Sequence, residues 1–386
     1  MDLPWGRIRG ARGLADLSSM GAANAGGNAI SGAFWLYVAT LLGPEKYGEV
    51  GYFISVASIA AVFCMFGSGH VLTVYAAKGQ NQAWSAAVIG AGSSVVGAAA
   101  LYLMFAEPSM TVYMAGYVVF ILGGSALLGM KSYKKYSVMI ALQKVCLVAF
   151  AIPLYYLMGY TGIVVGAGVS MLILTWPVIK LLSETERSFA GFRERFSFSA
   201  FSYARTVVMA VNGQIDKLVV ASVLGFTELG GYHLGFQITG VLMIIPTIVF
   251  QYVLPQDASG NPNPTLKKAT IAVAALMTVL GVTLAPVAVP AFFPEYGDSV
   301  LVVQIASLAI VIQTITTIRS SSFLAAENSK ITLVSTLLSI ATMLPMMYLL
   351  GSAYGLAGMA ASIVAASLAA MSVFVIKNRF MEIDSK

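Results

Sequence analysis

Leu42-Gly43-Pro44-Glu45-Lys46-Tyr47-Gly48 interrupts an apolar run, and a near copy, Leu224-Gly225-Phe226-Thr227-Glu228-Leu229-Gly230, stands 182 residues later. Both are built of turn-formers and charges between apolar stretches, which marks a helix–helix connection. Each occupies the turn after the first apolar span of one half of the chain. A second correspondence follows in the same order: Pro153, Tyr156 and Gly159 match Pro345, Tyr348 and Gly351 at an offset of 192, with Gly162-Ile163 and Gly355-Leu356 just beyond. Two ordered matches point to a duplicated unit.

Outward from these turns the chain divides into apolar spans near 16–42, 47–77, 83–106, 110–130, 135–158, 161–182, 198–224, 229–254, 268–292, 299–325, 330–350 and 354–376. Each is long enough to cross a bilayer, which takes roughly 20 residues of helix. The composition agrees. Of 386 residues 58% are hydrophobic and only 10% charged, against about 25% charged in soluble domains. A water-soluble fold of this length has more surface than so few charges can cover. The expected fold is therefore an all-α integral membrane protein of about twelve transmembrane helices. They form two six-helix bundles related by a parallel repeat, with a central cavity between them. The expected parts are a basic N-terminal segment at 1–15, bundles at 16–182 and 198–376, a linker at 183–197 and a tail at 377–386.

Charge placement gives the orientation. The loops of one side hold Arg7, Arg9, Arg12, Lys78, Lys131, Lys134, Lys135, Lys180, Arg187, Arg193, Arg195, Lys267, Lys268, Lys330, Lys377, Arg379 and Lys386; the other side holds only Lys46. Basic loops stay inside, so both termini are expected in the cytoplasm of a multi-pass cell-membrane protein. The net charge of +6 is then a topology signal, and no nucleic-acid partner is expected. The first residues lack the apolar core and cleavage site of a signal peptide. Cys64 and Cys146 fall inside apolar spans as small buried hydrophobes.

With the loop charges assigned, five formally charged residues remain as candidates inside the membrane, where a charge costs roughly 2.5–3.5 kcal/mol at the centre of a helix and marks a pathway or cavity. They are Lys144, Arg205, Asp216, Lys217 and Arg319, with His70 titratable. His70, Arg205 and Arg319 each lie about seven residues, roughly 10 Å, from the basic boundary, and Lys144 slightly deeper. These four would suit a diphosphate, which arginine grips bidentately; equally, each long cation can snorkel to the headgroups. On the seventh span Arg205, Asn212 and Asp216 share one helical stripe, expected to face the interior, and Lys217 turns one step away. Asp216 is read either as a proton or cation coupling site or as the ion-pair partner of Lys217 or another cation. Asn24 and Asn28, one turn apart on the first span, suit sugar hydroxyls or a bound cation, or hydrogen bonds between helices. Gln237, Gln251 and His233 are weaker candidates. No paired acidic metal motif, nucleophile set or phosphate-binding glycine loop is present, so a membrane enzyme is disfavoured and neither catalytic nor metal residues are assigned.

The chain resembles the multidrug, oligosaccharidyl-lipid and polysaccharide exporter superfamily, and most closely its polysaccharide-unit flippases. The residues are Leu42 to Gly48 with Ser55-Val56-Ala57-Ser58-Ile59, Phe66-Gly67-Ser68-Gly69, Gln214-Ile215-Asp216-Lys217-Leu218, Leu224 to Tyr232 and Phe236-Gln237-Ile238. The resemblance implies a flippase that moves a polyprenyl-diphosphate-linked oligosaccharide from the cytoplasmic to the outer leaflet by alternating access. The alternative is a cation-coupled multidrug or small-molecule exporter. It implies no cofactor, allows an H⁺ or Na⁺ gradient as the drive, and leaves room for a polysaccharide polymerase or ligase as partner. The two extra spans of the peptidoglycan-precursor flippases are missing.

Overall fold

The computed structural model describes residues 11–78, 82–185, 196–248, 263–325 and 328–384. Within them the chain is helical and contains no strand. In chain order the helices are α1 (Ala11–Cys64), α2 (Ser68–Ala77), α3 (Gln82–Phe105), α4 (Pro108–Gly129), α5 (Tyr133–Met158), α6 (Tyr160–Met171), α7 (Thr175–Glu184), α8 (Phe196–Leu224), α9 (Phe226–Leu242), α10 (Pro264–Phe292), α11 (Ser299–Ala325) and α12 (Ser329–Asp384).

Among the described residues nine helical stretches are long and apolar enough to cross a bilayer. Two of them are double. The stretches Gly26–Cys64 and Lys330–Lys377, of 39 and 48 residues, far exceed the roughly 20 residues that span a hydrocarbon core of about 30 Å. The first is broken at Gly43 (φ 71°, ψ 171°) ahead of Pro44 and the second at Gly355 (φ 59°, ψ −138°). A shorter helix, α9, is continued by helical residues 244–248 and completes the twelve spans.

The duplicated turn has a physical explanation. Gly43 and Gly225 both take a positive φ, which an L side chain resists. The second glycine of each motif serves a different need. A Cβ on Gly48 would run into the carbonyl oxygen of Phe226, and a Cβ on Gly230 into that of Pro44. Shifting by 182 residues carries Gly48 to Gly230 and Pro44 to Phe226, so the two collisions are the same contact seen from either side. The paired turns cross backbone to backbone, related by a local twofold.

The other correspondence keeps the repeat and changes its register. The positive-φ residues are Gly159 (φ 70°) and Gly355, while Gly351 is helical and packs on Met359. Three residues beyond each turn a glycine faces the preceding helix: Gly162 meets the carbonyl of Leu154, and Gly358 that of Leu350. The structural offset is therefore 196, one helical turn from the 192 read in sequence. The prolines and tyrosines matched at 192 face mostly outward, with Pro153, Pro345, Tyr156 and Tyr348 all exposed, so packing did not hold them in register.

By packing, the chain forms two compact units: residues 1–31 with 53–211, and residues 32–52 with 212–386. The sequence-based linker at 183–197 lies mostly outside the described residues, and the change of unit falls within α8, at Val211 and Asn212. In the first unit α4 packs tightly on the segment from α6 to the 3₁₀ turn Leu172–Leu174. Gly116 lies against Gly168, and Gly123 against Leu174. In the second, Val220, Leu229, Tyr232, Val302, Met347 and Met359 form a core.

Candidate functional site

In the second unit, α8 and α9 run antiparallel out of the Gly225 turn, so residues at similar distances from that turn sit side by side. Asp216 and Tyr232 are such a pair. The Tyr232 hydroxyl donates to Asp216 Oδ2 at 2.9 Å, with Tyr232 fully buried and Asp216 only 9% exposed. A carboxylate taken out of water needs compensation. Here the phenol supplies one part and Lys217 another, its Nζ 3.6 Å from Asp216 Oδ1. Asp216 Oδ1 accepts no hydrogen bond among the described residues. Although Lys217 points one helical step away at its Cα, its long stem brings the ammonium back, where it also donates to Gln214 Oε1 at 3.2 Å and the Gly213 carbonyl at 3.3 Å.

His233, next along α9, stacks on Tyr47 with ring centroids 4.7 Å apart and planes at 15°. Trp35 lies 6.4 Å from it, and its Nδ1 is 2.6 Å from where a Cβ on Gly51 would stand. Glycine at 51 is thus what admits the imidazole. Neither His233 Nδ1 nor the Tyr47 hydroxyl has a hydrogen-bond partner among the described residues. The Tyr296 hydroxyl donates to the Ala39 carbonyl at 2.7 Å, and its ring meets that of Tyr47 edge-on at 6.3 Å. The arrangement is a buried acid and phenol with a half-buried ammonium, beside a half-buried imidazole.

In the first unit the second span is not one helix. It breaks at residues 65–67, where Phe66 (φ 48°) and Gly67 (φ 75°) turn left-handed. The freed backbone groups find partners: the Ser93 hydroxyl donates to the Cys64 carbonyl at 2.5 Å, and the Ser68 hydroxyl to the Met65 carbonyl at 2.6 Å. Phe66 is pushed out to 58% exposure and meets the Tyr203 ring at 5.7 Å, while the Tyr203 hydroxyl donates to the Phe63 carbonyl at 2.9 Å. The break therefore tethers α8 to the start of α2. It brings exposed Arg205, two residues past Tyr203, into electrostatic range of exposed His70.

Lys144, half-buried on α5, lays its Cγ 3.3 Å from where a Cβ on Gly27 would be. Its stem thus packs over the first span at Gly27, and the next residue, Asn28, is exposed. The side chain of Asn24 lies outside the described residues. Asn212 is half-buried one turn before Asp216, and Arg319 is exposed near the end of α11; the contacts around Asp216 do not include Arg319. The stripe read on the seventh span is thus uneven, with Arg205 exposed in one unit and Asp216 buried in the other. Gln251 and the Arg187, Arg193 and Arg195 loop fall outside the described residues. The residues missed by sequence reasoning are Tyr232, Tyr47 and Trp35. Their signal was available only in part: Tyr47 and Gly48 belong to the duplicated motif, and Tyr232 lies opposite Asp216 across the Gly225 turn.

A family described as polysaccharide biosynthesis protein matches residues 37–293. No curated protein sequence matches. Among solved structures, the fold is similar to the lipid II flippase MurJ in an inward closed conformation, at 13% identity and TM-score 0.74, covering 93% of this chain and 87% of that one. It is also similar to an inward-facing multidrug resistance MATE family transporter of the MOP superfamily, at 15% identity and TM-score 0.69 over 95% of both chains. A third likeness is to a MOP superfamily transporter from Pyrococcus furiosus, at 14% identity and TM-score 0.58 over 96% of both.

Proposed function

We propose, from the premise that this chain belongs to the polysaccharide biosynthesis protein family, that it is a flippase for a polyprenyl-diphosphate-linked oligosaccharide. In this reading the repeat unit of a polysaccharide passes from the cytoplasmic to the outer leaflet by alternating access, with no bond made or broken. The observation that carries it is a set of uncompensated cations. Lys144 and Arg205, both of the first unit, lie in apolar helices and neither has an acidic partner among the described residues, whose ion pairs engage Lys46, Lys180 and Lys217 instead. A cation kept in a membrane without a counter-charge is costly, and a diphosphate repays that cost when it arrives. Arg205 gains the imidazole of His70 as a second donor, Lys144 offers a point charge, and the exposed amide of Asn28 suits a sugar hydroxyl.

The basic side is taken as cytoplasmic, with both termini there, because Lys46 is the only basic residue assigned to the opposite loops. A polysaccharide polymerase or ligase would consume the delivered unit. The test is a strain depending on this protein for surface glycan. Arg205→Ala with Lys144→Ala should abolish surface glycan while the protein remains folded in the membrane, and normal glycan from that double variant would refute the diphosphate reading.

A cation-coupled exporter of small molecules is the second reading, favoured by Asp216. Its buried Oδ1 accepts no hydrogen bond among the described residues and lies 3.6 Å from the Lys217 ammonium, so an H⁺ or Na⁺ arriving from a gradient would compete with Lys217 for that oxygen. Drug efflux lost in Asp216→Asn, with glycan assembly untouched, would select this reading.

A further inference from the structure

At the basic ends of α4, α5 and α7 the first unit holds a cavity of about 440 Å³, lined among others by Met130, Ser132, Lys135, Trp176, Lys180 and Glu184. Its polar and apolar parts are separated by helix geometry. On α7, Trp176, Ile179, Lys180 and Ser183 stand at i, i+3, i+4 and i+7, the spacing of one helix face. Trp176 is 68% and Ile179 54% exposed, a placement suited to the boundary where tryptophan sits between acyl chains and headgroups. Facing them, Lys135 lies in the first turn of α5. The Ser132 side chain makes no capping bond there, so its hydroxyl and the first amides of α5 are available to an anion.

The charge balance narrows the ligand. Lys135 and Lys180 contribute two positive charges. Glu184 removes one, its Oε1 3.6 Å from Lys180 Nζ. A net of one positive charge matches a monoanionic phosphodiester and is insufficient for a diphosphate, which would sit beside Glu184 with surplus negative charge. We propose that this cavity binds the headgroup of an anionic phospholipid from the leaflet facing these helix ends. One acyl chain lies along Met139, Ile179 and Trp176. The site belongs to the bulk lipid and is independent of the cargo, so it stands or falls separately from the flippase reading.

The test uses the full chain, purified in detergent and observed by native mass spectrometry with phosphatidylglycerol or phosphatidylcholine of matched acyl chains. The wild type is expected to retain phosphatidylglycerol preferentially. Lys135→Gln with Lys180→Gln should lower that preference by about thirtyfold, from the attraction of two lysines for an anionic headgroup. Glu184→Gln should raise it, because Lys180 loses its competitor, and this gain cannot come from damage to the fold. Equal retention of the two lipids by the wild type, or an unchanged preference in either variant, would overturn the proposal. So would displacement of phosphatidylglycerol by an equimolar polyprenyl diphosphate, which would assign the cavity to the cargo.

Discussion

Replacing Gly48 or Gly230 with alanine tests the duplicated turn directly. A Cβ at Gly48 would collide with the Phe226 carbonyl and stand 2.9 Å from the Gly230 nitrogen; at Gly230 it would collide with the Pro44 carbonyl and stand 2.9 Å from the Pro44 Cα. These obstacles are backbone and cannot rotate aside, so the crossing must open by roughly 1.5 Å to restore contacts near 3.5 Å. Overpacking of this kind costs about 1–3 kcal/mol, offset by about 0.5–1 kcal/mol because alanine is the better helix former. For a chain of 386 residues a net loss of roughly 1–2 kcal/mol corresponds to a fall of about 1–3 °C in the unfolding midpoint, measurable in detergent by size-exclusion after heating. Both glycines relieve the same crossing, so once one substitution has opened it the second should cost less. The double variant should fall short of the summed losses by about 1 kcal/mol. Gly213→Ala and Gly240→Ala are the controls, since a Cβ at either meets nothing within 4 Å, and both should leave the midpoint level or slightly raised. If Gly48→Ala and Gly230→Ala behave like these controls, or if their losses simply add, the reciprocal crossing does not hold the turns together.

Asp216→Ala should destabilise the second unit by about 3–5 kcal/mol, because it leaves the Lys217 ammonium without its counter-charge; Tyr232→Phe, which removes one hydrogen bond to a carboxylate, should lose about 1.5–3 kcal/mol. Comparing the two by thermal unfolding checks the order, and an equal or reversed order would contradict the pairing. Gly355→Ala should lose about 1–3 kcal/mol through backbone strain alone, since open space surrounds it; a midpoint no lower than wild type would return the turn to the register read from sequence. Ser93→Ala should cost about 1 kcal/mol by depriving the Cys64 carbonyl of its donor at the helix break, read as faster hydrogen exchange around residues 65–70. For orientation, Lys46→Cys in a Cys64→Ala, Cys146→Ala background should react with a membrane-impermeant maleimide on intact cells and Lys134→Cys should not; the opposite pattern would invert the topology.

What the sequence determined by itself is what short-range chemistry dictates. Apolar runs of membrane-spanning length, broken by glycine, proline and charge, specify helices and their ends, because lipid leaves the backbone no partner but itself. The Gly43 and Gly225 turns were legible on those grounds, and so was the isolation of Lys144, Arg205, Asp216 and Arg319 as charges that lipid alone would penalise. The partners of those charges were not legible. That Tyr232 meets Asp216, that Lys217 bends back to it, and that His233 fits against Tyr47 only because residue 51 lacks a side chain all depend on how closely two helices approach. The one-turn difference between the 192 and 196 registers arises likewise from the tertiary structure, since either glycine could turn a chain in isolation. With the turn at Gly355, Gly358 lies against the Leu350 carbonyl and Gly351 against Met359. The break at residues 65–67 is hidden inside what reads as one span, and the Cys64 carbonyl beside it is reached by the Ser93 hydroxyl of a different helix. Helix placement follows from each segment and its solvent, whereas the site depends on contacts between segments far apart in the chain.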